Sequence, residues 1–574
     1  MVVSDDSGQD ISGTEEEQDA DKASATPGQE DNIDARQNKD QVRIIQKAED
    51  LVARPASLQR PARSRRLLSI MSIFLFFLLI FAIVRLSMAL TPSDDQLEIQ
   101  VGDQASATVD LRQSIPISPY LFGANAFPAI NTSSVDQEHS GFMSYSPPVV
   151  NGLQNAHIKL LRFPGGKWGE EHLLSYDQLN TFSTLLSEVG AEGMVQARLS
   201  GTSGHSGQYV ASLENRINQA GNWVDYMNNP HSSFRTGKYA HAPFHPIKFW
   251  AVGNEPDRLI NPDTGKLFTV AEYVNDFILF STTMHQNNPT IQVFGPELSQ
   301  FSGLGAGPTD ANGAQWMEDF LKGVGTYEKS HPDLKFHLLD GVSFHFYPFA
   351  DAARAPSALL SSASEWSYLL PPLRQLIRQD LGRDVPVAVT EINVNPTQQV
   401  YTRGISALWW ADTLGTLMSQ QVENAAFFAS EGIDTPYPLF TSDGLHQTPM
   451  LRVMQLFSHL QHNLVPLATQ RDPTSIYATQ DDAHQTVSLL FVNKSALPQL
   501  AQISGQNHFL SISAWHQQDI SLNPYSVTVV TLHNGGGAEA YSYTVPASDN
   551  TNIVPLTYTI CGHKTDTLSN TVPC

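Results

Sequence analysis

Cysteine is almost missing from this chain: of 574 residues only Cys561 and Cys574 are cysteines, both at the C-terminal end. That excludes a disulfide framework or a cysteine-based metal site for the body of the protein, whose core must hold by packing. Cations are scarce as well. Thirty-four Lys and Arg stand against 57 Asp and Glu, for a net charge of −23. A nucleic-acid backbone would be repelled, and no local basic patch in the folded part relieves this. Charged residues make up 16% and hydrophobic residues 41% of the chain. This is neither the charge density of a disordered chain nor the apolarity of a multi-span membrane protein. Among 19 histidines no His-Glu-x-x-His spacing occurs, so the commonest signature of a hydrolytic metal centre is lacking and no metal or cofactor is expected.

What is present is unevenly distributed. Residues 1–50 carry 14 acidic and 5 basic side chains with almost no aromatics, the composition of a solvated tail. Five arginines follow without an acid (Arg54, Arg60, Arg63, Arg65 and Arg66), then the apolar run LLSIMSIFLFFLLIFAIV from Leu67 to Val84. At about 1.5 Å per residue it reaches roughly 27 Å, enough to cross a bilayer core. Arginines on one flank and TPSDD on the other set its direction, with basic residues on the cytoplasmic side. With about 66 residues ahead of it, an uncleaved anchor is expected rather than a cleaved leader, although SMALTP leaves cleavage open. The expectation is a cytoplasmic tail over 1–66, a transmembrane signal anchor over 67–90, and everything beyond it extracytoplasmic.

From about Tyr120 to Ser430, short β-rich runs alternate with stretches of helical period, the pattern of βα units around a parallel sheet. Eight runs read as strands: LFGAN, HIKLLRF, GMVQAR, IKFWAVG, IQVFG, GVSFHF, VPVAVTE and ENAAFF. Eight predict a closed (β/α)8 barrel over 119–460. Between the runs lie helical stretches such as those from Thr269 and Ile405; Trp409 and Trp410 fall on the latter as core or surface filler. After MLRVMQLFSHLQ the text turns to alternating strands, predicting an antiparallel β-sandwich over 461–535, which the strand-like segment 91–118 is expected to join. The Gly-rich stretch past Asn534 reads as a linker and C-terminal tail over 536–574, where Cys561 and Cys574 are near enough in sequence to pair.

In such a barrel chemistry sits at the C-terminal ends of the strands, and two acids stand there. Glu255 closes FWAVGNEPD on the fourth run and Glu391 closes VPVAVTEINVNP on the seventh. Either one alone reads equally well as a helix cap or ion-pair partner; two facing strand ends suit acid/base and nucleophilic work on a glycosidic bond. A retaining glycosidase needs two carboxyl groups about 5 Å apart, one protonated and one ionised. On that scheme Glu391 is held ionised by Tyr347 or Arg162, and Glu255 requires surroundings that raise its pKa. Tyr347, in the HFYP that follows the sixth run, is the candidate orienter.

These residues resemble clan A glycoside hydrolases, with Asn-Glu after strand four and Glu after strand seven, over roughly 96–535. LLRFPGGKWGEE from Leu160 looks like the turn of family 51 arabinofuranosidases, and GNEPD also occurs in family 79 glucuronidases; family 39 belongs to the same group. The resemblance implies that Glu255 is the acid/base, Glu391 the nucleophile, and Asn254 a partner of the sugar 2-hydroxyl. It implies an α-L-arabinofuranosidase or β-glucuronidase-like exo-enzyme acting on oligo- or polysaccharide. Arg162 and His345 read either as active-site hydrogen bonders or as structural ion pairs, and Trp168 as a sugar platform or as packing. Lys167 is a possible partner for a uronate, and Glu297 in FGPELS reads as a solvated loop acid rather than a substrate contact. The alternative is a carbohydrate-binding surface protein without turnover, against which the intact glutamate pair argues.

The expected topology is tested by adding protease to intact cells that make the chain with a tag at each end. The C-terminal tag should be lost and the N-terminal tag spared; the reverse pattern would overturn the orientation.

Overall fold

The computed structural model describes residues 95–561, apart from 104, 131–140, 201–210, 350–353, 395–400, 434–436, 468–471, 506, 511–516, 536 and 547–554. The tail and the anchor expected over 1–90 therefore lie outside the described residues, as does Cys574. Among the described residues no helix is long and apolar enough to cross a membrane.

Eight parallel strands close into a barrel. They are β1 (Phe122–Asn125), β2 (Leu160–Phe163), β3 (Glu192–Ala197), β4 (Phe249–Val252), β5 (Gln292–Leu298), β6 (Gly341–Phe346), β7 (Val387–Ile392) and β8 (Asn424–Phe427). Each lies within or overlaps one of the eight apolar runs. The order around the barrel is the order along the chain, and the ring closes where Ala425 of β8 pairs with Phe122 of β1. Nearly every strand residue is buried, which is why the runs read as continuous apolar text rather than as an alternating pattern. Inside the barrel, Leu160, Met194, Phe249, Ala251, Phe294 and Ala388 pack as a separate cluster. Gly341 makes room for it, since a Cβ there would come within 2.1 Å of the Phe294 ring.

Two of the longer helices begin where side chains satisfy their first free N–H groups. Ser175 with Gln178, and Thr269 with Glu272, form reciprocal capping boxes on Tyr176–Val189 and Val270–Asn287. Trp409 and Trp410 are both buried within Arg403–Ser419, so they belong to the core.

Besides a two-stranded ribbon of Ile260–Asn261 and Lys266–Leu267, a four-stranded and a seven-stranded antiparallel sheet accompany the barrel. Gln96–Val101 pairs with Gln499–Ser504, and Ile115–Pro116 with Asn463–Val465, so strands from both sides of the barrel in sequence build these sheets. A linker does not describe the stretch after Asn534. Gly537–Thr544 pairs along its whole length with Ser526–His533, and Thr557–Cys561 adds an edge strand. Its Gly and Ala residues disguise the pattern, because Ala540 and Tyr543 are the ones that turn inward. Cys561 is disulfide-bonded.

One buried ion pair joins the barrel helix Arg403–Ser419 to the seven-stranded sheet. Lys494 Nζ lies 2.7 Å from Asp412 Oδ2, both nearly inaccessible, and Tyr477 Oη donates to Asp412 Oδ1 at 2.6 Å. Removing Lys494 leaves the Asp412 charge buried without its cation, held by the Tyr477 hydroxyl, which costs about 3–5 kcal/mol. Lys494→Met should therefore lower the thermal midpoint by several degrees, and Asp412→Asn combined with Lys494→Met should recover much of the loss. Equal stability of the Lys494→Met variant and the parent in calorimetry would contradict this.

Candidate active site

The C-terminal ends of the barrel strands bring six of the seven sequence-derived candidates together. Arg162, on β2 and fully buried, is the hub. Its Nη1 donates to Glu391 Oε1 at 3.0 Å and to Asn125 Oδ1 at 2.9 Å; its Nη2 donates to Asn254 Oδ1 and to Glu297 Oε2, each at 2.8 Å. Tyr347 Oη donates to Glu391 Oε2 at 2.9 Å. His345 Nδ1 lies 3.0 Å from Glu255 Oε1 and 3.4 Å from Glu391 Oε2. One carboxylate oxygen of Glu255, one of Glu391 and a His345 ring nitrogen all lie within 4.8 Å of one another.

Local backbone geometry explains how β4 and β5 present their acids. Glu255 follows Gly253 and Asn254 with φ 48° and ψ 54°, and Glu297 has φ 58°. Both are non-glycine residues in the left-handed region, a cost of order 1–3 kcal/mol that persists only when the surroundings enforce it. They enforce each other, because Glu255 N–H donates to the Glu297 carbonyl at 2.9 Å. The register slips between Pro296 and Leu298, a bulge that re-aims the Glu297 side chain inward. On the β2 side, Gly166 of the Gly-Gly turn lies against the Glu391 carboxylate: a Cβ there would meet Oε1 at 2.9 Å, and φ is +56°. This close approach is what the second glycine of RFPGG permits.

Two residues of this cluster do not follow from the sequence reading. Glu297, read as a solvated loop acid, is inaccessible and bridges Arg162. Asn125, at the end of β1, ties the Arg162 guanidinium to the β7 and β8 carbonyls of Thr390 and Ala426; an Asn ending an apolar strand run was the available signal. Trp168 goes the other way. Only 6% exposed, its indole stacks on the His172 ring and meets Phe142 edge-on, so it packs within the protein instead of joining the glutamates. Lys167 is exposed and pairs with Glu171 at 2.7 Å.

The charges are strongly coupled. Burial alone would lower the His345 pKa, but Glu391, Glu255 and Glu297 carry it up to about 9. Burial would raise Glu297, but Arg162 and His345 hold it down at about 2. Burial raises Glu391, aided by the charge of Glu255, against His345, Arg162 and the Tyr347 hydroxyl. Glu255 is half-buried, which would raise it, yet the hydrogen bond and charge of His345, with Arg258 and Arg162, bring it below the usual carboxylate range. This differs from the expectation that Glu255 itself holds the proton: these shifts favour it on His345, whose Nδ1 faces Glu255. The same three side chains converge closely enough for a cation. Both carboxylates, however, meet a single nitrogen, Nδ1, which is the geometry of a shared N–H donor rather than of three lone pairs around a metal.

No family model matches the sequence, and no curated protein matches it. Solved structures do match in fold. The family 51 α-L-arabinofuranosidase of Thermotoga petrophila is 17% identical with a TM-score of 0.54, covering 73% of this chain and 98% of that one. The α-L-arabinofuranosidase of Thermotoga maritima, solved with arabinose, is 16% identical with a TM-score of 0.53, covering 73% and 97%. A family 44 xyloglucanase of Paenibacillus polymyxa is 14% identical with a TM-score of 0.52 and the same coverage. At such identities the likeness is one of architecture: the chain has the barrel-and-sandwich fold of these glycoside hydrolases.

Proposed function

We propose that this protein is a retaining glycoside hydrolase, with Glu391 as nucleophile and Glu255 as acid/base. The observation that carries the reading is the approach of the two carboxylates to within 4.8 Å at the ends of β7 and β4. So close an approach suits a covalent double displacement, whose carboxyl groups stand about 5 Å apart. Arg162 and Tyr347 grip both oxygens of Glu391, which orients the nucleophile and favours its ionised form in spite of burial. Glu255 and His345 share one proton across a 3.0 Å contact. As the leaving group departs, that proton moves through Glu255 Oε1 to the glycosidic oxygen. Once Glu391 is esterified its negative charge is gone, Glu255 becomes more acidic, and it serves as the base for the incoming water. Asn254, fixed by Arg162, is the partner for the sugar 2-hydroxyl.

A neutral sugar such as an arabinofuranoside is favoured over a uronate. Among the described residues Arg162 and His345 are already engaged by carboxylates, Lys167 is occupied by Glu171, and the exposed Arg258 lies beside the Glu255 and Asp257 charges. The arabinofuranosidase structures in the comparison agree with that choice. As a whole the chain is read as a cytoplasmic tail, one membrane anchor over 67–90, and an extracytoplasmic enzyme acting on oligo- or polysaccharide. The arginine cluster before the apolar run supports this organisation.

Two experiments test the reading. Glu391→Ala should abolish hydrolysis of every aryl glycoside. Glu255→Ala should still form the glycosyl-enzyme from substrates with good phenolate leaving groups, and azide should rescue it to give a glycosyl azide of retained configuration. Azide with Glu391→Ala should give the inverted product; the opposite pairing of variant and stereochemistry would exchange the roles. The pH profile of kcat/KM should be bell-shaped. Glu391 is raised, so its acid limb should fall above the ordinary glutamate value near 4.5, activity being lost as Glu391 takes up a proton. The alkaline limb, where the pair loses its shared proton, should lie towards 9; an alkaline limb below 6.5 would remove His345 from the scheme.

A further inference from the structure

Glu297 is a third carboxylate beneath the pair, and nothing in the double displacement uses it. It is inaccessible, and its backbone is held in the left-handed region. Its Oε2 faces two cations at once, Arg162 Nη2 at 2.8 Å and His345 Nε2 at 3.5 Å. Those cations touch the two glutamates with their other atoms: Arg162 Nη1 on Glu391, and His345 Nδ1 on Glu255 and Glu391. The backbone adds a second link, through the hydrogen bond from Glu255 N–H to the Glu297 carbonyl. One residue is thus in contact with the supports of both reacting carboxylates while offering no atom to the sugar.

We propose that Glu297 is a positioning residue, a buried non-reacting counter-charge that fixes Arg162 and His345 against the catalytic pair and retains the shared proton on His345 and Glu255. The proposal rests on the assignment of Glu255 and Glu391 given above. The groups that act on His345 are Glu391 from β7, Glu255 from beyond β4 and Glu297 from β5, while Arg162 from β2 is coupled to Glu297 and Glu391. Around these lie Tyr347 beside Glu391, Asp257 and Arg258 beside Glu255, and Tyr273 on the helix that faces Glu297. Removing one negative charge from this set disfavours the protonated imidazole, because fewer anions remain to compensate its burial. The pair then loses its proton at lower pH, and since the sites are coupled the shift appears in the macroscopic profile.

Glu297→Gln keeps the shape and removes the charge. In the purified full chain its alkaline limb of kcat/KM should move down by about one pH unit or more. The His345 imidazole, followed by NMR of labelled histidine and identified by its loss in His345→Asn, should titrate lower by a similar amount. Glu297→Asp keeps the charge on a shorter arm and should lose kcat while holding the parental alkaline limb. A uniform loss of rate with both limbs unmoved, or an unchanged His345 titration, would make Glu297 merely structural and overturn the proposal. If the Gln variant does not fold, the parent protein decides: a His345 titration at or below 6.5 would show that no carboxylate cage acts on it. The NMR readout needs no turnover, so an inactive parent would count against the assignment of Glu255 and Glu391 without touching the Glu297–His345 coupling.

Discussion

Everything at the mouth of this barrel depends on one buried guanidinium. Arg162 is held between two carboxylates, Glu297 at 2.8 Å and Glu391 at 3.0 Å, with Asn254 and Asn125 accepting the remaining donors of its two terminal nitrogens. Four strands and the turn after a fifth therefore meet on one side chain: β1, β2, β5 and β7, and the end of β4. Burying such a charge is tolerable only with this degree of compensation, and removing one partner from a buried pair costs several kcal/mol. The arrangement fixes the nucleophile candidate in one orientation and links it electrostatically to β5. Its own charge is thereby engaged by Glu297 and Glu391 and is not available to an anionic sugar.

The second constraint is the protonated His345. It is surrounded by three carboxylates, and its charge explains why neither Glu255 nor Glu391 needs to behave as an isolated buried acid. Counting Arg162 and His345 against Glu255, Glu297 and Glu391 leaves the cluster one negative charge in excess, a balance that favours a developing positive charge on a sugar ring. The left-handed backbone at Glu255 and Glu297 is the local cost of bringing these groups so close.

Much of this was legible in the sequence because the physics is local. Parallel strands buried on both faces read as uninterrupted apolar runs, so all eight barrel strands could be found, and with them the strand ends that carry Arg162, Asn254, Glu255, His345, Tyr347 and Glu391. What escaped depends on three-dimensional detail. Glu297 lies in a bulge, where strand alternation no longer predicts side-chain direction. Trp168 follows the Gly-Gly turn but begins a short helix that carries its indole inward. The strand Gly537–Thr544 follows a Gly-rich turn and opens on Gly-Ala-Glu-Ala, residues of little strand propensity; its pairing with Ser526–His533 decides its conformation. The placing of the proton on His345 rather than on Glu255 follows from contacts of His345 with all three carboxylates, which no linear spacing reveals.

The central claim is that Glu391 forms a covalent bond to the sugar. An activated 2-deoxy-2-fluoro arabinofuranoside slows both displacement steps while its leaving group keeps the first one accessible, so the glycosyl-enzyme accumulates. Intact-mass measurement should show a gain of one fluoroglycosyl unit per chain, and peptide mapping should assign it to Glu391. An adduct on Glu255 or Glu297, or steady turnover of the parent substrate with inversion and no adduct, would contradict the account.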